Sequence, residues 1–239
     1  MSDFTFAVEG GHSVRLKTAG KYCPRDIVVT AKGSADSFYD QFWDAYQENG
    51  NRMGYFQAFS GRGWTDETFK PKYKIKPTGD ASGVFYLNQA TKPLTAQMVD
   101  FSGATSFYNT FRGAQFKEIE LIDFSGSNQV FSYTFDSAAT EKIGLLILSD
   151  IATARVNTTT FNKMPNLSYI RIQGTLGQSF SFSWSPLDRA SMESVIASMS
   201  DTATDQTATF KKTAVNAAFT TDEWNALVAS KPNWTIILA

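Results

Sequence analysis

Asp100 and Asp123 are the residues of this 239-residue sequence whose type and spacing most invite a chemical reading. Each closes an apolar run and opens the same Asp-Phe-Ser-Gly tetrapeptide, 23 residues apart. On neighbouring strands of one sheet the two carboxylates would stand about 5 Å apart. Two acids at about that separation could serve a glycosidase, and with Glu120 they are also the beginning of a calcium site. Both readings lack parts. A flat strand ladder offers no pocket to raise one carboxyl's pKa or to exclude water. Calcium takes about six to eight oxygens, and no Asp-rich loop is visible. Side-chain solvation, or hydrogen bonds from Ser102 and Ser125, is the plainer alternative.

The remaining chemistry-bearing residues are few. One histidine, His12, and one cysteine, Cys23, exclude an intramolecular disulfide and the usual structural zinc sets. His12 sits beside two glycines with no nucleophile to serve, and Cys23, between Tyr22 and Pro24, reads as a small core residue. "GRGW" at 61–64 lacks the Lys-Ser/Thr of a phosphate loop, and "KPKYKIK" at 70–76 reads as solvated strand and turn charge. The expectation is a protein that is not an enzyme and has neither cofactor nor metal. A formal net charge of −1 gives no bulk reason to bind nucleic acid. No long apolar run is present for membrane insertion, and the N-terminus lacks the basic start and apolar stretch of a Sec signal, so synthesis in the cytoplasm without Sec export is expected.

What positions the aspartates is a repeat. The triplets Ala96/Val99/Phe101, Ile119/Ile122/Phe124, Ile143/Leu146/Leu148 and Leu167/Ile170/Ile172 share one apolar-x-x-apolar-x-apolar template, with starts 23, 24 and 24 residues apart. An aromatic follows each: Phe111, Phe135, Phe161 and Trp184, with Phe85 following a fainter copy that ends at Ile75. A β-sandwich would show strands at about half that interval with hairpin turn signals. The period instead predicts an α+β, β-rich fold: a leucine-rich-repeat solenoid with helical caps and a small N-terminal β module.

The domain organisation expected is a β module over 1–33, a linker and helical cap over 34–70, and the solenoid with its C-terminal cap over 71–239. Phe38, Phe42, Trp43 and Tyr46 share one helical face in the first cap. In the second, Met192, Val195, Ile196 and Met199 predict a helix beginning near Asp188 or Ser191. Thr220 with Glu223 is a capping-box signature, and "TATF" at 207–210 and the final "WTIIL" read as strands.

If the template residues point inward, the interleaved ones face out. One column then reads Met98, Leu121, Leu145, Tyr169, and beside it runs Asp100, Asp123, Ile147, Arg171. These eight residues are the expected partner-binding surface, an apolar stripe beside a polar one. The alternative is that a cap, the N-terminal module or a different register covers the stripe.

"VDFSGATSFYNTFRGA" and "IDFSGSNQVFSYTF" resemble the BspA-like class of leucine-rich repeats, a resemblance carried by residues 94–172. The tail from Ser191 to Ala239 is similar to the ends of such proteins in prophages and in surface proteins of gut Firmicutes. "TAGKYCPRDIVVTA" in the first module resembles a unit of phage tail-associated proteins of the same bacteria. The resemblance implies a phage or prophage tail component, located in the virion, that attaches to the host. Its partners would be a bacterial surface glycan or protein, other tail subunits and further copies of itself. A bacterial surface adhesin of the same repeat family and a purely structural virion subunit are the alternatives.

Overall fold

The computed structural model describes residues 2–8, 12–18, 59–62, 64–67, 69, 71, 74–77, 79–127, 131–149 and 156–239. The helical face expected from Phe38 to Tyr46, most of the cap over 34–70, and Cys23 with all of "TAGKYCPRDIVVTA" after Thr18 lie outside these residues. Strands β1 (Ser2–Val8) and β2 (His12–Thr18) pair antiparallel, with Phe4 opposite Leu16 and Phe6 opposite Val14.

From Phe59 onward the chain is organised by its phenylalanines. Phe59, Phe85, Phe111, Phe135, Phe161, Phe182 and Phe210 form a file of stacked rings, with successive centroids 5.8, 5.4, 5.3, 5.4, 4.6 and 6.4 Å apart. The rings are buried, and each of the five inner ones has a neighbour on both faces. Their backbones are tied in the same order: the N–H of Phe59, Phe85, Phe111 and Phe135 donates to the carbonyls of Val84, Thr110, Thr134 and Thr160. Buried threonines answer in the opposite direction. Thr110, Thr134 and Thr160 donate their hydroxyls to the carbonyls of Ala81, Phe107 and Phe131, at 3.2, 2.8 and 2.9 Å. A β-branched residue whose hydroxyl finds a carbonyl in the preceding unit satisfies that oxygen without breaking the apolar interior.

Short parallel strands accompany the ring file, and its last two members, Phe182 and Phe210, belong to them. β3 (Gly79–Asp80) pairs with β4 (Ala104–Ser106); β5 (Glu118–Asp123), β6 (Lys142–Ile147) and β7 (Tyr169–Gln173) form one sheet; β8 (Phe180–Phe182), β9 (Gln206–Phe210) and β10 (Trp234–Leu238) form another. Helices α1 (Arg189–Ala197), α2 (Lys212–Ala218) and α3 (Thr221–Ala229) lie in the last third of the chain.

This arrangement corrects the expected fold class. The described residues form a mixed α/β chain of separate small sheets, parallel except for β1–β2, with three helices, rather than a leucine-rich-repeat solenoid presenting one closed, continuous ladder. Two local causes break the ladder. Around Met98, expected on the first strand, the chain turns: the N–H of Met98 donates to Thr95 O, leaving single bridges at Leu94–Ile119 and Ile75–Val99. At the far side of β7, helix α1 stands where the next strand would pair. The N–H groups of Ile170 and Ile172 donate to the hydroxyls of Ser191 and Ser194, at 2.9 and 3.1 Å. The helix thus takes two strand donors out of the ladder. In the ring file, Phe182 occupies the place expected for Trp184, which is 53% exposed.

The C-terminal elements use local signals. Asp188 caps α1 by accepting from Ser191 N–H, and Met192, Val195 and Ile196 are its buried face. Thr220 and Glu223 form a full capping box at α3, and Arg189 Nη1 donates to Glu223 Oε1 at 2.9 Å. The Thr220 N–H, then the Arg189 guanidinium and the Thr220 hydroxyl, hold the Glu223 carboxyl down from 4.5 to about 2. A carboxyl depressed by folding stabilises the native chain at pH values above its unfolded pKa, and that contribution is lost as pH falls through the folded pKa. The melting-temperature gap between wild type and Glu223→Gln is therefore expected to be full above pH 4.5 and to close as pH falls to about 2. A gap that does not change with pH would contradict this role.

Candidate recognition face

The three-stranded sheet is the surface on which the expected site residues can be tested. Ile119, Ile143 and Ile170 lie opposite one another, as do Leu146 and Ile172, and all are buried with Ile122 in the core. The remaining side chains are left toward solvent. Leu121 is opposite Leu145, and Asp123 is opposite Ile147, which in turn is opposite Gln173. Leu121, Leu145, Ile147 and Asp123 are half-buried, while Arg171 and Gln173 are exposed. Adjacent parallel strands hold such partners about 4.8 Å apart, so Leu121, Leu145 and Ile147 form one apolar centre.

The close approach of β5 and β6 depends on Gly144. A Cβ there would lie 2.5 Å from the carbonyl oxygen of Glu120, a position only glycine can occupy. Glu120 itself turns away, its Oε2 accepting from Ala96 N–H at 2.8 Å.

Tyr169 does not continue the column of Leu145. The register shifts between Ile143 and Leu146, and Tyr169 lies opposite Lys142. Lys142 Nζ is 2.6 Å from Glu118 Oε1 and 5.8 Å from the centroid of the Tyr169 ring. The Glu118 hydrogen bond and charge raise the Lys142 pKa above its ordinary value. The result is a row of Glu118, Lys142 and half-buried Tyr169 along one end of the apolar centre. Sequence reasoning missed Glu118, Lys142 and Gln173. Glu118 and Lys142 each precede the first template isoleucine, 24 residues apart with opposite charge, and that is the signal that could have found this pair.

Met98 and Asp100 do not join the face. Met98 is half-buried against the core, in a cleft of about 390 Å³ shared with Asp66, Phe69, Lys92 and Phe116. Asp100 Oδ1 accepts from Ser102 N–H and Oγ at 3.1 and 2.7 Å, and Asp123 Oδ1 accepts from Ser125 N–H and Oγ at 2.9 and 2.5 Å. Asp80 holds Ser82 N–H in the same way, at 2.9 Å. The Ser102 hydroxyl and N–H, helped by the charges of Lys74 and Lys76, keep the Asp100 carboxyl below its ordinary pKa. The Asp-x-Ser repeat therefore closes turns, and its carboxylates are engaged by their own serines.

A second cleft, of about 470 Å³, lies between the start of α1 and α2. Its charged groups are committed: Asp188 caps α1, and Arg189 pairs with Glu193 and Glu223 at 2.9 Å each. Among the described residues no group of histidine, cysteine and carboxylate side chains is disposed to hold a metal ion, and no helix is long and apolar enough to cross a membrane. Compared with protein-family models, with curated proteins and with solved structures, the chain matches none.

Proposed function

We propose that this chain is a non-enzymatic recognition protein that binds its partner through the β5–β7 face. The observation that carries the reading is the apolar centre of Leu121, Leu145 and Ile147, left half-exposed on a rigid sheet. Around it stand Tyr169, Lys142, Glu118, Asp123 and Arg171. An apolar centre with an ionic rim is the anatomy of a protein interface, and Tyr and Arg are residue types that dominate binding energy. From the tail-protein resemblance of the sequence, the partner is a component of the bacterial cell surface and the chain serves a phage or prophage tail.

The test is binding of the fluorescently labelled chain to intact cells of a panel of Gram-positive gut bacteria, beside a Leu121→Ser, Leu145→Ser, Tyr169→Ala variant. Saturable binding to particular strains is expected, weakened at least about tenfold in the variant, with an unchanged circular dichroism spectrum. A folded variant that binds as well as wild type would remove this face from the account, and no binding to any strain would favour a structural subunit.

A further inference from the structure

We infer that the chain self-associates through β10, edge to edge with the β10 of a second copy. Among the described residues β10 is paired on one side only, with β9. The N–H of Ala239 donates to Phe210 O across that pair. Main-chain groups alternate in direction along a strand, so residues 235, 237 and 239 turn theirs to β9, while Ile236 and Leu238 turn theirs outward.

The edge carries none of the features that ordinarily prevent pairing. Its sequence, Trp-Thr-Ile-Ile-Leu, has no charge and no proline. Its pairing with β9 runs from Trp234 to Leu238 without a bulge. Ile237 is 45% exposed, and Ile236 and Leu238 are only partly covered by the core they touch. A flat, uncharged, apolar edge is a template for another strand.

Charge selects a second copy as that strand. Exposed Asp205 lies at the start of the edge, one residue before Gln206, which is opposite Trp234; the neighbouring Asp201 is already paired with Lys231 at 2.7 Å. Exposed Lys212 lies at its end, where its N–H donates to Ala239 O, while Lys211 Nζ turns to Trp184 O beyond β8. An antiparallel pair with a two-fold axis at Ile236 lets Ile236 exchange both main-chain hydrogen bonds with its own counterpart and sets Trp234 opposite Leu238. The same axis sets each Asp205 toward the partner's Lys212 across the two joined β10 strands, an attraction that is strongest at low salt.

Sedimentation velocity of the full chain from about 1 to about 100 µM tests this. Wild type is expected to shift from monomer to dimer with concentration. Ile236→Pro removes an outward N–H, which an edge strand tolerates, together with the partial core contact of the Ile236 side chain, and is expected to stay monomeric with an unchanged spectrum. Lys212→Glu and Asp205→Lys, each alone, are expected to weaken the dimer at least about tenfold, and mixing the two variants to restore it as a heterodimer. Wild type that remains a monomer throughout, a folded Ile236→Pro that dimerises like wild type, or charge variants that do not rescue each other would each overturn the proposal. Should Ile236→Pro unfold, the charge-exchange pair decides alone.

Discussion

Replacing Phe135 by alanine is expected to cost the native state about 3–5 kcal/mol. The ring has no solvent exposure and lies between two nearly parallel neighbours, Phe111 at 5.3 Å and 3° and Phe161 at 5.4 Å and 5°. Removing it deletes its own burial and uncovers one face of each neighbour, in an interior where backbones on both sides are held by hydrogen bonds and cannot collapse. Phe135 N–H donates to Thr160 O, and Phe111 N–H to Thr134 O. For a chain of this size the loss corresponds to a fall in melting temperature on the order of 10 °C. Phe135→Leu, which keeps most of the volume, is expected to recover more than half of it. A Phe135→Ala protein that melts within a degree or two of wild type would mean that the ring file does not hold the units together.

Gly174→Ala is expected to be similarly damaging, for a different reason. Gly174 follows β7 with φ +100°, a conformation L residues avoid, and a Cβ there would run into the backbone carbonyl of Leu148. That carbonyl belongs to the neighbouring unit, whose Leu148 N–H is itself held by Gln173 O at 2.8 Å. Gly79 separates the two costs. It also has positive φ, +71°, but nothing lies within 4 Å of its would-be Cβ. Gly79→Ala is therefore expected to lose about 1 kcal/mol in urea unfolding and Gly174→Ala at least about 3. Equal losses at the two sites would show that the close approach at Leu148 carries no energy.

The repeat was legible because one residue type recurs at one structural position. Phe85, Phe111, Phe135 and Phe161 sit a period apart in the sequence and stack in that order in space. The capping box at Thr220 and the apolar face of α1 were legible for the same local reason. What the pattern could not supply was pairing. That Ser191 and Ser194 would take two N–H groups of β7, ending its sheet, is a contact between elements that no periodicity encodes. The register of Tyr169 depends on a shift in the β6–β7 ladder, so the column drawn from Leu145 to Tyr169 was misplaced. Asp100 and Asp123 looked like a pair because the repeat aligned them, whereas Ser102 and Ser125, two residues away, had first claim on their oxygens. Of the eight residues expected on the face, Leu121, Asp123, Leu145, Ile147, Tyr169 and Arg171 lie on the β5–β7 sheet. Met98 and Asp100 were lost to a turn whose cause, a hydrogen bond to Thr95 O, is local but carries no strong residue signature.

The most direct measurement of the central claim is hydrogen–deuterium exchange of the chain with and without cell-envelope fragments of a strain to which it binds. Slowed exchange confined to residues 118–123, 142–147 and 169–173 is the expected result. Protection elsewhere, as around the exposed Tyr108, with those three strands unchanged would contradict it.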